Sequence, residues 1–316
     1  MNFLARNAGA LGMPLLLVAS IGATALVHPS FSAFDVQSLA LGALPLALAA
    51  TAQAIIVISG GIDLSVGSLI AVANVLSASL MHHASFRQSL LIALGVLAFG
   101  AVQGALNGLL VAVSRIPDVV VTLTTGFIWG GVALLILERP GGGAPAEMLN
   151  IGSGADLSPW LPNALILLLV AIALIWLPVR QSRIGLLIYA AGSDPVAAFR
   201  SGVDTGLART LAYVFCGLAC ATSGIALTIT TGIGAPLAGT YYTLGSVAAV
   251  VIGGVSLRGG RGGVLGPAIA AVLLTLIPMD LIFLNIDPNY GQVIQGTLIV
   301  AVVMAGGFAT FLQERK

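Results

Sequence analysis

The sequence predicts an all-α fold: a polytopic membrane protein of about ten transmembrane helices, some of them discontinuous, forming one domain over residues 1–316. Three observations lead there. Of 316 residues, 58% are hydrophobic and 7% charged, and the mean hydropathy is +1.09, whereas an ordinary soluble domain carries about 25% charged residues. Polar groups are too few to cover a soluble protein of this length, so lipid must be the solvent for most of the chain. Second, apolar runs close to the roughly 20 residues that one helical crossing needs follow one another along the chain. Third, the basic residues gather on alternate connections between those runs.

The first run, 8–27, follows Arg6 as the start of a signal peptide would, but it is long enough to span and "ALVHPS" is a poor cleavage site, so it reads as a retained helix. The second, 36–58, ends at "ISGGIDLSVGS", and a short third run, 68–81, follows. Runs at 88–113 and 119–137 lead to residues 138–162, rich in Gly and Pro, with acidic residues and Trp160 near the interface. This segment reads as an extracytoplasmic loop able to touch a soluble partner. After 163–179 comes the one long internal connection, 180–206. The last four runs are 207–230, 243–257, 263–284 and 290–310, with glycine interrupting the middle two. With the amino terminus inside, Arg6, Arg115, Arg180, Arg183, Arg200, Arg209, Arg258, Arg261, Arg315 and Lys316 fall on the cytoplasmic side, and Arg87 and Arg139 outside. That asymmetry supports ten crossings with both termini in the cytoplasm.

The internal connection holds a miniature helix. Asp194 or Ser193 can cap it, Pro195 suits its first turn, Val196 to Arg200 form its body, and Gly202 ends it at a position that tolerates positive φ. So short a helix is not stable alone in water, so it packs on the protein's own membrane face or docks into another subunit.

The acid in the middle of an apolar chain is the other anomaly. A carboxylate at mid-membrane costs about 2.5 to 3.5 kcal/mol or more, so Asp63 does not face lipid. Gly60, Gly61 and Gly67 flank it, and residues 58–68 read as a break between two spans, tolerated only if buried in protein or lining a wet cavity. Asp63, Ser65 or Ser68 can cap the following helix; alternatively Asp63 belongs to a gate or contacts substrate. A comparable break is "IGGVSLRGGRGGVLGP", with Arg258 and Arg261 at the inner surface, where they meet carbonyls, lipid phosphate, another subunit or water. Gly100, Gly104 and Gly108 recur every four residues and give the fourth span a flat packing stripe. Gln103 and Asn107 lie beside it, as pathway residues or interhelical hydrogen-bond donors, and Gln53 and Thr122 are similar candidates.

Other chemistry is excluded or bland. Twelve basic and eleven acidic residues form no basic block, so no nucleic-acid partner is expected. Cys216 and Cys220 share a helix face as small packing residues, and His28, His82 and His83 sit near external ends as solvated turns. No G-x-x-x-x-G-K-[ST] motif occurs, and no acid, base and nucleophile cluster, so neither ATP hydrolysis nor a membrane enzyme is expected of this chain.

"ISGGIDLSVGS", "GALNGLLVAVSRIPDVVVTLTT", "SRIGLLIYAAGSDPVAAFRSGV" and "GSVAAVVIGGVSLRGGRGGVLGP" together resemble the permease subunit of bacterial ATP-binding-cassette importers for ribose, xylose, galactose and related monosaccharides, from about residue 36 to 310. Branched-chain amino acid permeases belong to the same broader group, and "GGIDLSVGS" favours the sugar branch. The resemblance implies an inner-membrane permease domain, multi-pass in the lipid bilayer, that pairs with a second copy or a sister permease. It further implies a cytoplasmic ATPase, which binds the ATP and Mg while this chain holds no cofactor, and a periplasmic substrate-binding protein. It assigns ATPase coupling to Gly185, Asp194, Ala197, Ala198, Arg200 and Gly202, and the pathway or gate to Asp63, Ser65, Gln53, Asn107 and Thr122. Two departures stand out: Ser193, Asp194 and Pro195 replace the family's usual Asn, and Asp118 stands where an apolar or small residue is usual. The rival class is an ion-coupled secondary transporter, for which Asp63 is almost the only coupling candidate.

Overall fold

The computed structural model describes residues 3–28, 30–114, 116–298, 300–301 and 304. Its helices are α1 (Phe3–Val27), α2 (Ala33–Ile58), α3 (Val66–Met81), α4 (Phe86–Ser114), α5 (Asp118–Ile136), α6 (Ala146–Ser153), α7 (Asn163–Gln181), α8 (Arg183–Ser193), α9 (Pro195–Arg200), α10 (Thr205–Thr231), α11 (Gly239–Ile252) and α12 (Leu265–Phe283). Residues 290–298 are helical again. Among the described residues there is no strand, only two isolated bridges. Arg115, Arg315, Lys316, the side chain of Arg6 and the end of the predicted 290–310 span lie outside the described residues.

Six helices, α2, α4, α5, α7, α10 and α12, are long and apolar enough to cross a membrane. The apolar stretch Gly12–Val27 of α1, together with α3 and α11, is shorter. At 1.5 Å per residue the last two reach about 24 and 21 Å, less than the roughly 30 Å of a hydrocarbon core. The chain is a helical, multi-pass membrane protein whose count of full crossings is looser than ten equal spans. Helices occupy the first nine predicted positions, with α11 shifted toward the amino terminus. Two more helices occur where only loops were expected: α6 in the external connection and α8 in the internal one.

Burial ranks the helices. From Ala43 to Ile58 every residue of α2 is buried, as expected for a helix that is apolar all round. Its Pro45 cannot donate to the helix ladder, and the hydroxyl of Ser223 on α10 donates to the Pro45 carbonyl at 2.7 Å, cross-linking the two central helices. By contrast α4 buries one stripe, Val96, Gly100, Gln103, Asn107 and Val111 among it, while Leu94, Leu109 and Val113 stay exposed.

The predicted glycine stripe meets α10 backbone to backbone. A Cβ on Gly100 would strike the Gly217 carbonyl oxygen, one on Gly104 the Tyr213 carbonyl, and one on Gly108 would come within 2.6 Å of the Thr210 Cα. Gly67 at the start of α3 and Gly239 at the start of α11 make the same kind of crossing, each blocking the other's missing side chain.

Past α10, Gly232 takes φ +74 and the chain turns back along α3 instead of continuing. Asn74, fully buried on α3, holds it there. Its Nδ2 donates to Thr228 Oγ1 (2.8 Å) and to the Ile233 carbonyl (3.1 Å), and its Oδ1 accepts from the Ala235 N–H (2.7 Å).

Gly104→Val forces β-carbon bulk into the Tyr213 backbone and should lower stability by about 1–3 kcal/mol. Gly95→Ala, on the same helix with open space around it, should be neutral or stabilising by up to about 1 kcal/mol. Thermal unfolding of the purified protein in detergent separates the two.

Candidate functional site

The polar residues picked from the sequence converge on the break between α2 and α3. Gly60 takes φ +88, and its N–H and that of Gly61 return to the Val57 and Ile56 carbonyls, closing α2. Beyond Gly61 the ladder is lost, and side chains replace it. Gln53, with its amide assigned from its partners, donates to the Asp63 carbonyl (2.9 Å) and accepts the Asp63 N–H (3.2 Å). Thr122 Oγ1 on α5 accepts the Leu64 N–H (3.0 Å) and donates to the Asp118 carbonyl (2.8 Å). Asp63 Oδ1 accepts the Ser65 N–H (2.7 Å) and the Ser65 hydroxyl (2.6 Å), and Ser65 Oγ in turn accepts Asn107 Nδ2 from α4 (2.9 Å).

Gln53, Asp63, Ser65, Asn107 and Thr122 therefore form one buried set, each at most 1% exposed. Its chemistry is backbone solvation in an apolar surround: N–H groups that a helix would have paired are paired instead by the side chains of Gln53 on α2, Thr122 on α5 and Asp63 in the break itself, with Asn107 on α4 bracing Ser65. Asp63 acts by bonding Ser65, the residue before α3, in a local turn; Ser65 makes no side-chain cap, and Ser68 lines a cavity instead. Cys216 adds a contact not foreseen, its thiol donating to Asp63 Oδ2 at 3.6 Å. Asp118 packs over Gly61, where a Cβ would collide with its carboxylate, so glycine at 61 leaves the acid its room. Asn107 Oδ1 and the Tyr213 hydroxyl are buried with no hydrogen-bond partner among the described residues.

Residues 182–203 form a second structured element. The miniature helix α9 spans Pro195–Arg200, and Asp194 Oδ1 accepts from the Val196 and Ala197 N–H groups, both at 3.0 Å. At its far end Gly202 takes φ +85, its N–H bonds the Phe199 carbonyl, and the Val203 N–H bonds the Ala198 carbonyl, both at 3.0 Å. The six-residue helix is thus fixed at both ends by its own sequence. Val196, Ala197, Phe199 and Arg200 face outward, and Ala198 turns inward. Gly185 is buried in α8, where a Cβ would strike the Val179 carbonyl at the end of α7; it fixes the α7–α8 corner and is not part of the outward face.

Between the two elements lies a joint made of glycine. Gly192, near the end of α8, rests on the Ile58 carbonyl, which also accepts the Gly260 N–H at 2.9 Å. Gly60 and Gly259 close on Gly192 from either side, and Tyr189 donates its hydroxyl to the Gly262 carbonyl at 2.7 Å. The break after α2, the break after α11 and the root of α9 therefore meet mainly through glycine main chain, with the Ser193 side chain packed on Gly260. Gly192 was missed in the sequence because the signal is a contact between distant segments.

Two cavities flank the start of α11 and share Leu237, Thr240 and Leu244 on their walls. One, about 550 Å³, opens between α3, α5 and α11; the other, about 570 Å³, between α11 and residues 292–296. None of the five buried polar residues lines either.

A bundle of apolar crossings, its central helix interrupted by a sealed polar turn, has the build of a multi-pass membrane permease. Residues 36–303 match the family described as "Branched-chain amino acid transport system / permease component", and the chain belongs to that family. It is 30% identical over 267 residues to the ribose import permease protein RbsC of Escherichia coli (strain K12), covering 82% of this chain and 81% of that protein. It is 33% identical over 264 residues to the galactofuranose transporter permease protein YtfT of the same strain (83% and 76%). To the fructose import permease protein FrcC of Rhizobium meliloti it is 28% identical over 285 residues (86% and 78%). No solved structure gives a significant match.

Thr122→Val strands the Leu64 N–H and should cost about 1–3 kcal/mol, whereas Tyr213→Phe removes a hydroxyl that bonds nothing and should cost far less. Asp63→Asn keeps an acceptor for both Ser65 donors and should be milder than Asp63→Ala. Unfolding temperatures of the four variants test this order.

Proposed function

We propose that this chain is the membrane-spanning subunit of an ATP-binding-cassette importer of the inner membrane, carrying a monosaccharide or related polyol by alternating access. Family membership and the sugar-import names of its relatives support the class and the cargo. The observation that carries the mechanism is α9: a helix rigidly capped by Asp194 and Gly202, presenting Val196, Phe199 and Arg200 outward, and rooted through Gly192 in the α2–α3 break. An exposed apolar pair beside a guanidinium suits a protein groove. The groove belongs to a separate ATPase, since the only lysine is Lys316 and the sequence has no phosphate-binding loop.

In this reading ATP and its Mg are held by that ATPase, and both termini lie in the cytoplasm. The path is completed by a second permease, the same or a sister chain, and a periplasmic binding protein delivers the solute against the 138–162 connection, where Leu157 and Trp160 are exposed. Residues 1–316 act as one permease domain. Nucleotide-driven movement of the ATPase displaces α9, and the glycine contacts pass that displacement to Ile58 and Gly60 and to the loop at 259–260. Asp63, which an ion-coupled carrier would need, has Oδ1 committed to Ser65.

The test is uptake into liposomes holding the permease, its ATPase and its binding protein. Uptake should require ATP and survive collapse of ion gradients; gradient-driven uptake without ATP overturns the proposal. Phe199→Asp should reduce both recovery of the ATPase with the permease and uptake. Gly202→Val, which forces a β-branched residue into positive φ, should cost about 1–2 kcal/mol and weaken coupling in the same assay.

A further inference from the structure

We infer that the solute's polar contacts on its way through this chain lie on Thr240, Tyr241, Gln292 and Gln295, and that this surface selects an uncharged polyhydroxylated molecule; the inference rests on the importer reading above. The sealed set around Asp63 is unavailable to cargo, since every member is at most 1% exposed, lines neither cavity and makes at least one bond to backbone or to another member. The cavities beside α11 are open, and of the two only the one facing residues 292–296 carries amides.

Its chemistry is specific. Among the described residues lining either cavity none is charged, so nothing there answers the ammonium and carboxylate of a zwitterionic amino acid. What the second cavity offers is a hydroxyl from Thr240, a phenol from Tyr241 and two amides, groups that both donate and accept as sugar hydroxyls do. Tyr241 is held edge-on by the buried Tyr242, ring centroids 5.4 Å apart at 78°, so its ring is presented in a fixed attitude against which the C–H face of a sugar can lie. Gln295 is braced by donating Nε2 to the Leu274 carbonyl at 2.9 Å and by a side-chain hydrogen bond with the Tyr241 phenol, which fixes both groups toward the cavity. Gln292 is exposed, and an amide facing hydrocarbon would go unpaired, whereas one facing a hydrated passage would not. A volume of about 570 Å³ lies within the range of small-molecule sites.

The experiment uses the full complex in liposomes, with D-ribose, D-fructose, D-galactose and leucine as solutes. Tyr241→Ala and Gln292→Leu should each lower ATP-driven sugar uptake about tenfold, the loss expected when one or two hydrogen bonds or a ring contact disappear. Recovery of the ATPase with each variant checks folding. Independently, Gln292→Cys should react with a hydrophilic maleimide, and transported sugar should slow that reaction severalfold. Cys216 and Cys220, both buried, leave little background. Wild-type uptake in both variants, or a Gln292→Cys thiol that stays unreactive or is not protected by sugar, overturns the subsite while leaving the importer reading intact. A wild-type complex that moves leucine and no sugar overturns the selection for uncharged solutes. Failure of the importer reading itself appears in the wild type as absence of ATP-driven uptake of any of the four.

Discussion

Backbone that leaves a helix inside a membrane has no water to turn to, and the region around residue 63 is organised by that one requirement. Gln53, Thr122 and Asp63 each answer an N–H that the interrupted helix gave up, and Asn107 steadies Ser65 from a third helix. The arrangement explains the otherwise costly placing of a carboxylate, an amide and hydroxyls in the most apolar part of the protein. Helices α2, α4 and α5 are positioned to one another by these bonds as much as by packing, because moving any of them would expose an unpaired amide.

Glycine plays the complementary part. Where α4 meets α10, where α3 meets α11 and where α8 meets the end of α2, glycine brings main chain against main chain. A shift at one partner is therefore carried to the other with little loss, since packed backbone deforms less readily than a layer of flexible side chains. The joint at Gly60, Gly192 and Gly259 links both broken connections to the exposed capped helix, a linkage that suits a subunit worked from outside.

Much of this was legible in the sequence, and for local reasons. Spans follow from hydropathy, which averages along a helix. The limits of α9 follow from Asp194, Pro195 and Gly202, whose effects reach only a few residues. Asp63 and its glycines announced a break because each breaks a local rule. What escaped depends on distant partners: α8 is held by Gly185 on Val179 and Gly192 on Ile58, and α6 by Gly152 against Ile229. Asn74 was a buried amide in an apolar run, the same kind of signal as Gln53, yet its partners sit beyond a turn that only the fold brings near. The cavities are spaces between helices, which no stretch of sequence encodes. Two of the departures from ten equal spans share a place, since the short helices α3 and α11 begin where they cross at Gly67 and Gly239.

By gripping Ile233, Ala235 and Thr228 at once, Asn74 makes α3 and the returning strand of chain a single plank. A tilt of α3 would carry the plank whole and change the width of the space it shares with α5. Phe127, three-quarters exposed on α5, lines that space.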